Sequence, residues 1–98
     1  MSYTSDDYIR DRRKNDTEFD KEIMRQEIAF PIAMQIIKLR DKAGLTQKQL
    51  AELVGTKQSA IARLENGESI PTIQTLYKIS TALNQTMTVS FEAKSMTN

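Results

Sequence analysis

The chain has 98 residues, 39% apolar, 28% charged and 6% aromatic, which predicts one small soluble domain with an accessory arm rather than two cores. It contains neither Cys nor His, so disulfide frameworks, Cys–His zinc sites, cysteine nucleophiles and imidazole-dependent triads are excluded. A formal net charge of +1 neither requires nor forbids nucleic acid, and no apolar run approaches the roughly 18 residues of a membrane span.

The charge is unevenly distributed. Residues 1–30 hold six basic and eight acidic side chains, whereas residues 31–98 hold eight basic and five acidic ones. Residues 1–15 (MSYTSDDYIRDRRKN) carry too little apolar surface to offset ordering, and are expected to be disordered when free. Asp16 and Thr17 offer a helix start, and Phe19, Ile23, Gln26 and Phe30 then recur at helical spacing. Pro31 either kinks one long helix or sits in the first turn of a new one, and a break near Phe30 is favoured because proline pushes the preceding residue out of the helical region. Helical periodicity resumes from Ile32 to Ala43 and stops at Gly44.

Thr46 and Gln49 have the spacing of a capping box, and Leu45 with Leu50 that of a hydrophobic staple, so a helix is expected from there to about Val54. Gly55 ends it. A second helix follows after about three residues, with Ile61 and Leu64 inward, and closes at Asn66-Gly67. Thr72 caps a further helix to near Asn84, with Ile73, Leu76, Tyr77, Ser80 and Leu83 expected inward. In residues 86–92, Met87, Val89 and Phe91 alternate with polar residues, which predicts a half-buried strand that must pair with a second copy or a different partner, with a frayed polar tail as the alternative.

Two short helices about Gly55, with Leu50, Ala51, Val54, Ile61 and Leu64 as the apolar wedge between them, predict a helix-turn-helix. Residues 43–80 (AGLTQKQLAELVGTKQSAIARLENGESIPTIQTLYKIS) closely resemble the phage-repressor-like helix-turn-helix domain of bacterial regulators. That resemblance implies an all-α, five-helix domain over residues 31–85 whose second motif helix, about Lys57 to Asn66, enters the major groove of operator DNA. On that helix, the Gln58 amide suits adenine, Arg63 suits guanine, and Lys57 and Ser59 reach neighbouring base edges. Gln47 is expected at a phosphate, with Asn66 and Lys48 as flanking clamps. Arg63 has an alternative in pairing with Glu65 or Glu68, and Lys48 also reads as an ordinary solvated lysine. Lys57 stands where the family commonly has a capping Ser or Thr, which makes Thr56 the alternative cap.

The length, the DDYIRDRRKNDTEF arm and the terminal strand together resemble the HigA-type antitoxins of toxin–antitoxin pairs. This implies three parts. Residues 1–30 form an N-terminal helical arm that binds a small RelE- or HigB-like mRNA-cleaving toxin through Phe19, Ile23 and Phe30. Residues 31–85 bind DNA. Residues 86–98, a short C-terminal β-strand and tail, make a homodimer through Met87, Val89 and Phe91. Autorepression of the shared operon would follow, in the cytoplasm and without metal or cofactor. A stand-alone dimeric repressor without a toxin partner is the alternative. Catalysis is not expected, since the candidate carboxylate pairs (Asp6-Asp7, Asp16 with Asp20) lie in a solvated arm.

Overall fold

The computed structural model describes residues 17–94. The expectations for residues 1–16 and for the last four residues of the tail lie outside them. Helix α1 (Thr17–Met24) continues through one wide π turn (Arg25–Ala29) into α2 (Phe30–Lys42), and α3 (Gln47–Val54), α4 (Gln58–Glu65) and α5 (Ile73–Ala82) follow. The fold is all-helical.

The break expected at Pro31 does not occur. Pro31 has no N–H to donate, and its ring would clash with the carbonyl one α-turn back. The π turn immediately before it widens the spiral, and Phe30 N–H reaches back to the Arg25 carbonyl. One continuous rod from residue 17 to 42 is the result. Its first part, α1, packs chiefly on the π turn and projects from the body of a molecule measuring 55 × 26 × 24 Å.

The core lies where α2 to α5 converge. Ile36, Leu50, Ala51, Ile61, Leu64, Ile79 and Leu83 form one buried cluster, with Val54, Leu45 and Leu76 packed against it. The expected wedge residues are therefore all in place, and Leu50 and Ile61 are completely enclosed at 0% and 1% exposure. Burying either side chain is worth about 1.5–3 kcal/mol. Helix α5 departs from expectation, because Ile73 and Tyr77 point outward while Ile79 takes the buried position. At roughly 100° per residue, Tyr77 is turned about 200° from Ile79, so the two cannot share a face. Leu76 and Leu83 do lie at the core as expected, so the buried row is Leu76, Ile79 and Leu83, and the helix is apolar enough on both sides for periodicity to misplace Ile73 and Tyr77.

All four helical rods end in the same way. Gly44, Gly55, Gly67 and Asn84 adopt positive φ, and the next residue's N–H returns to a carbonyl five residues earlier, as from Thr56 to Ala51 and Glu68 to Arg63. At α3 and α5 the starts are also as expected. Thr46 Oγ1 accepts from Gln49 N–H at 3.0 Å while Thr46 N–H donates to Gln49 Oε1 at 2.8 Å, and Thr72 Oγ1 accepts from Thr75 N–H at 3.1 Å.

Two further expectations are corrected. From Phe30 onward the described residues hold four helices instead of five, and residues 86–92 are in no strand. Within residues 31–85 the helices are separated by connections of only three to seven residues, which leaves no room for a fifth, and a strand exists only where a neighbouring edge supplies its hydrogen bonds. This single chain presents no such edge among the described residues. The segment instead borders a groove between α2 and α5.

Candidate nucleic-acid interface

Helix α3 ends at Gly55 with φ +80°, and only Thr56 and Lys57 separate that glycine from α4. Lys57 is the cap residue of α4, with extended backbone and no side-chain cap bond, so neither Lys57 nor Thr56 closes the helix start. The first backbone N–H groups of α4 consequently face outward without a side-chain acceptor. Gln58, Ser59 and Arg63 are exposed on the same helix. Lys57, Ser59 and Arg63 share a shallow concavity with Gly55, Thr56 and Ala60. In the sequence Gly55 and Thr56 read only as turn and cap and Ala60 was missed, because none of the three carries a charge or a long side chain. Their smallness is the signal, for it opens the surface on which the longer side chains stand.

Arg63 makes no ion pair among the described residues, because Glu65 is engaged elsewhere. Arg40 Nε donates to Glu65 Oε2 at 2.7 Å and Arg40 Nη2 to Glu65 Oε1 at 2.9 Å, a two-pronged pair. Arg40 Nη1 donates to the Leu45 carbonyl at 2.8 Å, and Gln47 Nε2 donates to Glu65 Oε1 at 3.1 Å. The Glu65 side chain is 3% exposed and that of Arg40 14%. The Glu65 hydrogen bond pushes the Arg40 pKa above its ordinary value, against the opposing pull of burial.

This network ties the end of α2, the start of α3 and the end of α4 together, and so fixes the angle at which α4 is presented. Sequence reasoning missed it. The available signal was that Glu65 lies four residues after Ile61, on the inward row, where a charge needs a partner.

Gln47 is therefore half-buried with one amide N–H committed to Glu65, while Lys48 and Asn66 are exposed. Gln47 opens α3 and, through Glu65, lies beside the end of α4, where Asn66 is the cap. Phe19 and Ile23 are on the projecting α1, whereas the Phe30 ring rests on Gly67. Met87 is half-buried against the α2–α5 groove, and Val89 and Phe91 are exposed. Among the described residues, no group of acidic side chains is placed to hold a metal, and no helix is long and apolar enough to cross a membrane.

Two helices joined through a left-handed glycine, with the second one polar and uncapped along its outer edge, define a helix-turn-helix of the kind that DNA-binding transcriptional regulators carry. The helix-turn-helix family model HTH_3 matches residues 36–89. The chain belongs to that family of Xre-type transcriptional regulators, which is not a family of enzymes. It is 34% identical over 70 residues to an HTH-type transcriptional regulator of Haemophilus influenzae, covering 71% of each chain. It is 37% identical over 57 residues to the antitoxin HipB of Escherichia coli, covering 58% of this chain and 62% of HipB. An HTH_3 family transcriptional regulator from Vibrio cholerae has a similar solved structure, with a TM-score of 0.57 and 38% identity, covering 59% of this chain and 33% of that one.

Proposed function

We propose that this regulator is an antitoxin-like autorepressor: a dimer that reads its operator through α4 and holds a small RelE- or HigB-like toxin on its amino-terminal arm. The observation that carries the DNA reading is the exposed outer edge of α4, where Gln58 and Ser59 open the helix and Arg63, in its last turn, is in no salt bridge among the described residues. In this reading Gln58 and Arg63 form two-pronged contacts to adenine and guanine, Lys57 and Ser59 touch adjacent edges, and Gln47, Lys48 and Asn66 hold phosphates. Gln47 keeps one amide N–H and its carbonyl oxygen available beyond the bond to Glu65. Residues 86–92 join two copies through Met87, Val89 and Phe91, so that two α4 helices meet half-sites about 34 Å apart.

Replacing Gln58 or Arg63 with Ala is expected to cost about 1–3 kcal/mol at the operator, with relaxed preference at one base pair. Binding titrations on the operator and on random DNA of equal length check this. An equal loss on both would make the residue a phosphate contact and refute the assignment.

The arm reading is supported by the projection of α1 and by its apolar residues, with Phe19, Met24 and Ile28 about half exposed along it and the π turn. The likeness to HipB, an antitoxin, favours a toxin partner of some kind. The boundary for testing it lies at Met24, because Ala29 is buried and Phe30 packs on Gly67. Deleting residues 1–24 is expected to abolish rescue of cells from the adjacent-gene toxin while operator affinity changes less than about threefold. Rescue retained by the truncated chain would refute the arm reading and leave the stand-alone repressor.

A further inference from the structure

Residues 85–90 line a groove of about 600 Å³ between α2 and α5, walled by Ile28, Ile32, Leu39, Ile79 and Leu83. Met87 is half-buried there, as part of the same lining. Phe91, four residues later on the same alternating row, is 98% exposed. A phenylalanine so fully in water, directly after Ser90 at the groove's edge, calls for a specific cover.

Building on the dimer reading above, we propose that residues 86–92 pair antiparallel with the same segment of a second copy in a register centred on Val89, and that each copy's Phe91 closes the other copy's α2–α5 groove. The pairing arithmetic selects this register. With Val89 on the two-fold axis, Phe91 stands opposite the second copy's Met87, the residue that already lines the groove. Glu92 then faces Thr86, and Lys94 faces Asn84, so no charge meets a like charge. Shifting the register by one residue about the axis puts Thr88 or Ser90 at the centre and sets Phe91 across from Gln85 or Val89, away from Met87.

An antiparallel pair also satisfies the backbone of a segment that has no ladder of its own. Two phenylalanine rings bury roughly 300–500 Å² between them. The paired backbones, Val89 and the groove walls add to that area toward the ~1,200 Å² a stable interface requires.

The chain has no native cysteine, so single engineered cysteines report the register cleanly. The experiment measures the oligomeric state of the full chain by sedimentation, then oxidises Val89→Cys and Thr88→Cys variants, and finally determines the dimer dissociation constant of Phe91→Ala. The expected results are a wild-type dimer, rapid cross-linking of Val89→Cys, little of Thr88→Cys, and at least a tenfold weaker dimer for Phe91→Ala with unchanged helical content.

A wild-type dimer in which Val89→Cys stays uncross-linked overturns the register. One in which Phe91→Ala dimerises as tightly as wild type overturns the groove closure. In both cases the dimer reading survives on another surface. A wild-type chain that is monomeric at tens of micromolar overturns the dimer reading and this inference together.

Discussion

Glu65→Ala is expected to destabilise the fold by about 3–5 kcal/mol. The carboxylate is the hub for both donors of the Arg40 fork and for the Gln47 amide, and its side chain is 3% exposed. Removing it leaves a guanidinium that is 14% exposed with only the Leu45 carbonyl and Asp41 near it, the latter at 3.4 Å on the surface. Against the 5–15 kcal/mol typical of a small domain, such a loss removes from about a fifth to nearly all of the stability. Denaturant titration of wild type, Glu65→Ala, and the double variant Arg40→Met with Glu65→Leu checks this. The double variant should recover most of the stability, because it removes both charges and fills the space with apolar atoms. If Glu65→Ala costs less than 1 kcal/mol, the pair is not the clamp the distances describe. The recovered double variant should still bind operator more weakly than wild type, since it lacks the acceptor that orients Gln47 at the start of α3.

Gly67→Ala is the second large effect, and its comparison with Gly55→Ala separates two causes. Both glycines have positive φ, +73° and +80°, so each substitution carries the left-handed penalty of about 1–2 kcal/mol. A methyl group at Gly55 meets nothing, whereas at Gly67 it collides with the ring of Phe30. Forcing that ring aside adds about 1–3 kcal/mol. Gly67→Ala is therefore expected to cost about 2–5 kcal/mol and Gly55→Ala about 1–2 kcal/mol. A double-mutant cycle identifies the source of the excess. In a Phe30→Ala background the collision is gone, and the Gly67→Ala penalty should fall to that seen at Gly55. Equal penalties at both glycines in the native background would show that Phe30 yields without cost. The Gly67–Phe30 contact also marks where the arm ends, because it fastens the first residue of α2 to the turn leaving α4.

The local signals in the sequence were reliable where one residue type does one physical task. Thr46 with Gln49, and Thr72, cap helices because a side-chain oxygen satisfies an N–H within three residues. The three glycines follow helix ends because positive φ is nearly free only to them. The wedge of Leu50, Ala51, Val54, Ile61 and Leu64 was legible from helical spacing, and it carried the helix-turn-helix and the polar outer edge of α4 with it.

Other features depend on partners distant in sequence, and these only the tertiary structure decided. Twenty-five residues separate Arg40 from Glu65, so no local pattern reveals that Arg63 is left out of that pair. Pro31 reads as a break until the π turn before it supplies the space its ring needs. In α5, both Tyr77 and Ile79 are apolar enough for the core, and the packing of α3 against that helix chose Ile79. Helix starts and stops are thus written in short-range hydrogen bonding. Which apolar row is buried, which charges pair and whether a proline interrupts a rod are settled by neighbours that chain order does not place side by side.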